Sequence, residues 1–185
     1  MIIETERLLI HNFRPEDAEA LRKVIVEKEA SEYAVYDHEW PTSFGAIRGI
    51  VEWFAKEDAY LAICLKEGGD LIGFISLNPG EDEGAQEYDL GYCLHPAHQG
   101  KGYATEGCRA LVEHAFTRLR ARRITSGTGA PNRPSVRLLE RLGFRVVGES
   151  EGCFRETEEG KPITFRGYSF ALTREEWKAA SRGTI

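Results

Sequence analysis

Residues 88–120 read YDLGYCLHPAHQGKGYATEGCRALVEHAFTRLR, and this stretch decides the fold of the chain. Residues 88–94 are rich in aromatic and aliphatic side chains, which are typical of a β-strand. Pro96 ends the strand, because proline cannot donate a hydrogen bond to a strand ladder. From Ala104 onward the apolar residues recur at spacings of three and four, which predicts the buried face of a long helix.

The turn between this strand and this helix, residues 99–104, has the features of an anion site. The first N–H groups of a helix lack partners within the helix, and the helix dipole adds partial positive charge there. Gly100 and Gly102 carry no Cβ atoms that would block a ligand, and they permit unusual backbone angles. We therefore predict a cradle of backbone donors for a phosphate or diphosphate, with Lys101 adding a full charge. A plain strand-to-helix turn is the alternative.

Two common nucleotide motifs do not fit this turn. The P-loop pattern requires Gly-Lys-Ser/Thr, but Tyr103 follows Gly102 in this chain. The dinucleotide fingerprint requires a third glycine at a position where this chain has Thr105. The pattern that remains is Gln-x-x-Gly-x-Ala.

That pattern, Gln99-x-x-Gly102-x-Ala104, follows a strand that contains Gly91 and Tyr92. In this setting it resembles the coenzyme A-binding motif of the GNAT acetyltransferases. The resemblance extends over nearly the whole chain, and the chain is identified as a member of that family. The other places that carry the resemblance are residues 4–8 (ETERL, similar to the start of RimJ/RimL-type acetyltransferases), 132–135 with 142–144, and 168–177.

The order of predicted elements indicates an α+β fold. We predict strands within residues 2–13, 60–65, 71–77, 88–94, 123–126, 144–149 and 164–173. We predict helices near residues 15–29, 43–54, 104–119, 132–142 and 174–180. A mixed, mostly antiparallel sheet flanked by helices would bury the apolar faces of these elements, and this order matches the GNAT fold. We expect one N-acetyltransferase domain over residues 1–185.

Composition excludes several other classes of protein. The chain of 185 residues is 42% apolar and 29% charged, which is ordinary for a globular protein. No apolar run approaches the roughly 20 residues that span a bilayer. Acidic residues stand at the N-terminus where a secretory signal would be positively charged. We therefore expect a cytoplasmic protein without a membrane partner.

The net charge of −6 argues against a nucleic-acid partner and is compatible with a cationic substrate such as an amine. The four cysteines are widely spaced, without a Cys-x-x-Cys pair. We therefore expect no metal and no disulfides. The sequence leaves both a monomer and a homodimer open.

The resemblance implies transfer of an acetyl group from acetyl-CoA to an amine by direct attack in a ternary complex. The amine would be a protein N-terminal amine, such as that of a ribosomal protein, or a small amine. A non-catalytic acyl-CoA sensor that uses the same cradle is the alternative. The coenzyme-binding residues that the resemblance implies are Tyr92, Cys93, Leu94, Gln99, Gly100, Lys101, Gly102, Tyr103, Ala104, Thr105, Asn132 and Ser135.

Asp89 stands where many relatives place a glutamate that acts as a base, often through water. It shares one strand face with Gly91, and burying a carboxylate on a central strand without a partner is costly. We therefore expect Asp89 either to line a cleft as the base or to pair with a nearby arginine.

Asn132 and Ser135 match the Asn-x-x-Ser of the family. Asn132 would bond the pantetheine arm and cap a helix at the same time. Ser135 would either protonate the leaving thiolate or only pack in the helix. Many relatives carry a tyrosine acid four residues later, where this chain has Leu139. The acid is therefore Ser135, a water or a tyrosine from elsewhere, or no acid is needed.

Residues 31–41 form an aromatic loop between two predicted helices. Such a loop is either a wall of the substrate site or a part of the core. The candidate acceptor-binding residues are Tyr33, Tyr36, His38 and Trp40. His38 would act as a base or as a polar contact.

Overall fold

The computed structural model describes residues 1–80 and 86–182, which contain eight strands and five α-helices. The strands are β1 (Ile2–Glu4), β2 (Leu8–Asn12), β3 (Tyr60–Leu65), β4 (Leu71–Pro79), β5 (Glu87–Leu94), β6 (Arg123–Gly129), β7 (Arg145–Glu156) and β8 (Pro162–Thr173). The helices are α1 (Ala18–Glu29), α2 (Phe44–Phe54), α3 (Tyr103–Thr117), α4 (Arg133–Arg141) and α5 (Arg174–Arg182).

The strands form one sheet in the order β1-β2-β3-β4-β5-β6-β8-β7. The pairing is antiparallel except between β5 and β6, which run parallel. The predicted α+β class with a mixed, mostly antiparallel sheet is therefore confirmed.

Helices cover the central strands on both faces. On one face, α3 and α4 bury residues such as Leu111 and Leu139 against the sheet. On the other face, α1 and α2 bury residues such as Ile25 and Phe54, together with Phe74 of β4. The two apolar clusters fix the sheet between the helices, so that the ends of β5 and of α3 are held in place.

The parallel pair is short, and this shapes the site. Residues 87–89 of β5 pair with residues 123–125 of β6. Beyond them β5 continues along β4 to Leu94, while β6 continues along β8 to Gly129. The Ser126 hydroxyl donates to the Leu90 carbonyl oxygen across 2.8 Å at the point where the strands separate. The two strands therefore diverge and open a groove along one edge of β5.

Two strand predictions differ from the structure. Residues 2–13 form two antiparallel strands, because the Thr5 N–H bonds the Leu8 carbonyl oxygen and turns the chain. The late strands run further than predicted and pair as a long hairpin, β7 with β8. Gly148 and Gly152 interrupt the apolar alternation of β7 in the sequence, which is why β7 is longer than predicted. At Gly152 the missing side chain makes space for the Phe165 ring, since an added Cβ atom would lie 2.5 Å from it.

The helix predictions are confirmed within a few residues. Asn132 caps α4, since its side chain accepts a hydrogen bond from the Ser135 N–H. Gly143 follows α4 with a φ of +90°, a conformation that favours glycine. Within the described residues, no helix has the length and apolar character needed to cross a bilayer.

Candidate active site

A cleft of about 610 Å³ opens where β5 and β6 diverge, and it extends from the start of α3 to the loop after α1. The residues predicted as binding residues that line this cleft are Tyr33, Tyr36, Trp40, Tyr92, Cys93, Leu94, Gln99, Gly100, Gly102, Tyr103, Ala104, Thr105, Asn132 and Ser135. Three predicted site residues, Asp89, Lys101 and His38, are not among the lining residues.

The turn before α3 has the geometry that the glycines predict. Gly100 and Gly102 have φ angles of +73° and +85°, which favour glycine. Gly102 immediately precedes Tyr103, the first residue of α3. The Gln99 side-chain N–H donates to the carbonyl oxygen of Leu94 across 3.0 Å, so the turn is held on the end of β5. We call residues 100–105 the phosphate cradle.

The phosphate cradle is braced by the N-terminal segment. The Arg7 guanidinium donates to the Lys101 carbonyl oxygen (3.0 Å) and to Glu106 Oε2 (2.7 Å), and it lies 4.5 Å above the Tyr103 ring. The Thr5 hydroxyl donates to Glu106 Oε1 across 2.6 Å. Residues 4–8 are therefore part of the scaffold of the cleft.

Arg7 is a residue that the sequence reasoning did not place at the site. A Cβ atom added at Gly102 would lie 3.3 Å from Arg7 Nη2, so the guanidinium borders the cradle directly. Arg7 and Glu106 are almost a hundred positions apart, and a single sequence holds no local pattern that joins them.

The first turn of α4 forms the wall opposite β5. Asn132 Oδ1 accepts a hydrogen bond from the Ser135 N–H across 3.4 Å. The Ser135 hydroxyl lies 2.7 Å from the Tyr92 hydroxyl, close enough for a hydrogen bond in either direction. Leu139, which replaces the tyrosine common in the family, is fully buried in the core. The sequence reasoning did not foresee the contact between Tyr92 and Ser135.

Asp89 lies beside the cleft. Asp89 is exposed to solvent, and its Oδ2 atom accepts a hydrogen bond from the Thr125 hydroxyl across 3.1 Å. The ion pairs found among the described residues do not include Asp89 with an arginine. Desolvation by the surrounding protein raises the pKa of the Asp89 carboxyl, while the bond from Thr125 acts in the opposite direction. On the same strand face, Gly91 does line the cleft.

Asp89 is coupled to the cleft through Tyr60. Burial is the largest cause of the raised pKa of Tyr60; the negative charge of Asp89 adds to it, and a hydrogen bond with Asn78 opposes it. Asn78 lies directly opposite Asp89 in the antiparallel register, and Tyr60 lines the cleft. Asp89 therefore lies close to Tyr60, a residue of the cleft, although Asp89 itself does not line it.

The far end of the cleft is aromatic. Tyr33, Tyr36 and Trp40 line it, and Trp40 also packs on Phe74 at a ring distance of 5.4 Å. The aromatic loop therefore serves both as a cleft wall and as a part of the core. His38 points elsewhere: its ring packs edge-on against Phe154 at 4.5 Å.

A cluster of ion pairs supports this aromatic end. Glu29 pairs with Lys28 and with Arg155 of β7, each at 2.9 Å, and the Glu29 side chain is only 12% exposed. Lys28 also pairs with Asp37 at 2.9 Å. Burial, the largest influence, works to raise the pKa of Glu29, but the bonds from Arg155 and Lys28 outweigh it and leave that pKa lowered. The cluster ties α1, the aromatic loop and the β7–β8 hairpin together.

Several lining residues were not predicted from the sequence. Tyr60 and Ser76 reach the cleft from β3 and β4, and Arg137 and Arg141 reach it from α4. The two arginines are four positions apart, which places them on one helix face, and that spacing was a signal in the sequence. In the part of the chain that the structure describes, no group of three or more His, Cys, Asp or Glu side chains could hold a metal ion.

Comparison with known proteins agrees with the resemblance. A family model described as an acetyltransferase (GNAT) domain matches residues 7–145. "Uncharacterized N-acetyltransferase p20" from Bacillus licheniformis is 28% identical over 178 residues, which cover 94% of this chain and 96% of the relative. "Putative ribosomal N-acetyltransferase YdaF" from Bacillus subtilis (strain 168) is 28% identical over 179 residues, which cover 94% of each chain.

A solved structure extends the similarity to the fold. The acetyltransferase (GNAT family) from Bacillus anthracis superposes with a TM-score of 0.79 and 26% sequence identity. The match covers 95% of this chain and 100% of that structure.

Proposed function

The chain belongs to the GNAT acetyltransferase family, and from this premise we propose that it transfers an acetyl group from acetyl-CoA to a primary amine in a ternary complex. The observation that carries the proposal is the cleft that joins the phosphate cradle to the groove between β5 and β6. We treat residues 1–185 as one N-acetyltransferase domain. The four free cysteines fit the reducing cytoplasm in which we place the reaction.

The coenzyme would be held mainly by backbone atoms. The N–H groups of the phosphate cradle bind the diphosphate, since the first turn of α3 offers donors and partial positive charge. The main chain of Tyr92, Cys93 and Leu94 pairs with the pantetheine arm along the open edge of β5. Asn132 bonds the same arm. Arg137 and Arg141 supply the positive charge that phosphates require.

Asp89 would take the proton from the attacking amine through a water molecule. A carboxyl with a raised pKa is a better base near neutral pH than an ordinary one. The tetrahedral oxyanion would be stabilised by a main-chain N–H of β5. The Ser135 hydroxyl would assist the leaving thiolate.

A protein N-terminal amine fits the acceptor end better than a polyamine or an aminoglycoside. Of the described residues that line the cleft, the only carboxylate is Asp37, and it is paired with Lys28 at 2.9 Å. Among these described lining residues, a substrate with several positive charges would find no free set of carboxylate partners. An α-amine has a pKa of about 8 against about 10 for an alkylamine, so more of it is neutral and reactive. The name of one relative, "Putative ribosomal N-acetyltransferase YdaF", points the same way.

The test is an assay of thiol release from acetyl-CoA with three acceptor classes: N-terminal peptides, polyamines and aminoglycosides. The proposal predicts the highest kcat/KM for a peptide with a free α-amine and loss of activity when that amine is blocked. Calorimetry with acetyl-CoA is measured in parallel. Tight binding without thiol release on any amine would instead establish the acyl-CoA sensor.

A further inference from the structure

Two hydroxyl groups meet across the groove at the point where the acyl group is expected. The Tyr92 hydroxyl, from β5, lies 2.7 Å from the Ser135 hydroxyl, from the first turn of α4. Both residues line the cleft and both are partly buried. The Tyr92 hydroxyl also lies 3.4 Å from the Ser135 carbonyl oxygen, a longer contact in which the phenol is the donor.

The direction of this hydrogen bond decides what Ser135 can do. Each hydroxyl carries one proton, so only one of the two can donate to the other. If Ser135 donates to Tyr92, its proton is used and cannot reach a ligand. If Tyr92 donates to Ser135, the serine proton remains free for a group in the groove.

The environment favours donation by the phenol. Burial raises the pKa of Tyr92 far above its usual value, so the ring keeps its proton at physiological pH. The aromatic ring also packs against the main core cluster, which holds the phenol in place. The Ser135 Oγ atom, at 2.7 Å, is also a much closer acceptor for the phenol proton than the Ser135 carbonyl oxygen at 3.4 Å.

We propose that Tyr92 is a positioning residue that donates to Ser135 Oγ and so directs the Ser135 hydroxyl toward the sulfur of the leaving coenzyme A. This inference rests on the proposed function. It also fits the presence of a leucine at position 139. Leu139 is buried in the core, and in this chain the phenol that contacts Ser135 comes from Tyr92 of β5.

Tyr92 keeps its proton throughout the release of coenzyme A. As the tetrahedral intermediate collapses, the C–S bond breaks and its electron pair goes to sulfur. The Ser135 hydroxyl stabilises that thiolate by a hydrogen bond, and solvent protonates it on release. The proton of the attacking amine leaves separately, through water to Asp89. A thiol has a pKa of about 8.5, so a hydrogen bond is sufficient help.

The first test is a double-mutant cycle with Tyr92→Phe, Ser135→Ala and the double variant. Tyr92→Phe keeps the packed ring and removes only the hydroxyl. We expect it to lower kcat about tenfold, or about 1.4 kcal/mol, because the hydrogen bond from Ser135 to the thiolate is no longer directed, with KM for acetyl-CoA unchanged. The double variant should be no slower than Ser135→Ala, because both changes remove one unit.

The matched control is Tyr88→Phe, on the same face of β5 but outside the cleft lining. It should leave kcat at the wild-type value. A wild-type kcat in Tyr92→Phe, or multiplicative losses in the double variant, would overturn the proposal.

The second test does not depend on an acceptor. The pKa of the thiol of bound coenzyme A is measured by difference absorbance of the thiolate. We expect that pKa to rise by about half a unit to one unit in Tyr92→Phe and at least as much in Ser135→Ala, because the thiolate loses a donor. An unchanged thiol pKa in both variants would overturn the inference. Absence of thiol release by the wild type on every amine would instead overturn the proposed function.

Discussion

At the scale of single residues, the site depends on atoms that carry little sequence signal. The phosphate cradle offers backbone N–H groups, and the glycines matter because their φ angles are positive. Asp89 matters through its raised pKa and its bond from Thr125, although it lies outside the cleft lining. Each of these groups has a proposed role that depends on charge or hydrogen bonds, so single substitutions can separate their contributions.

Replacing Asp89 by Asn should lower kcat by about a hundredfold, since a positioned base contributes ~10²–10⁴. The pH optimum should move upward, because only amine that solvent has already deprotonated would react. Affinity for acetyl-CoA should change little. Kinetics across pH measure this, and an unchanged profile would remove Asp89 from the mechanism.

A companion change tests the cause of the pKa shift of Asp89. The hydrogen bond from Thr125 lowers that pKa against the effect of desolvation. Thr125→Val should therefore raise the pKa further and move the acidic limb of the kcat profile to higher pH. A limb that moves to lower pH would contradict this assignment.

At the scale of elements, two long-range ties hold the cleft in shape. One joins the turn before β2 to α3 through Thr5, Arg7 and Glu106. The other joins α1 to β7 through Glu29 and Arg155. Both lie near the ends of the cleft, where they add polar contacts to the apolar packing that holds the helices on the sheet.

Replacing Glu106 by Gln should destabilise the fold by about 1 kcal/mol, a typical value for a charged hydrogen bond that is partly exposed. Burial, the largest influence, works to raise the Glu106 pKa, but the bonds from Thr5 and Arg7 leave it lowered from 4.5. A lowered folded-state pKa gives stability that is present above pH 4.5 and lost as the pH falls through the folded value.

Thermal unfolding between neutral and acidic pH measures this effect. In the Glu106→Gln variant, the free energy of unfolding should fall less steeply as the pH drops below the pKa that glutamate has in the unfolded chain. The control, Glu113→Gln, lies on the exposed face of the same helix and should retain the wild-type pH dependence. Equal profiles for the two variants would show that the tie is not energetically significant.

Replacing Arg155 by Met should cost about 1.5–3 kcal/mol, because the largely buried Glu29 loses one of its two cationic partners and keeps only Lys28. The matched control is Arg166→Met on the same hairpin, since Arg166 pairs with Glu149 at the surface. Exposed pairs contribute about 0–1 kcal/mol. Urea unfolding compares the two variants; similar losses would show that the Glu29 cluster does not stabilise the aromatic end.

At the scale of the whole molecule, the element order was readable from the sequence and the long-range contacts were not. The apolar spacing of α3 and the cap at Asn132 are local patterns, and the structure confirms both. The contacts of Arg7 with Glu106 and of Arg155 with Glu29 join residues 99 and 126 positions apart. These pairs depend on the tertiary fold, which brings the turn before β2 to α3 and β7 to α1.

The divergence of β5 from β6 is also a property of the whole sheet. It arises because β5 pairs along its length with the preceding strand β4, while β6 pairs with β8, which lies far along the chain. No pattern within residues 88–94 or 123–129 specifies this divergence. In the proposed function, the groove between the two strands receives the pantetheine arm of the coenzyme whose diphosphate lies at the N-terminus of α3.

The measurement that tests the account most directly is calorimetry of acetyl-CoA binding to Gly102→Glu. The new side chain would fill the phosphate cradle with negative charge at a position whose φ is +85°, and we predict that binding is abolished. Gly160→Glu, at a φ of +75° in the turn after β7, carries the same backbone strain and should bind normally. Near-normal affinity in Gly102→Glu would contradict the assignment of residues 100–105 to the diphosphate.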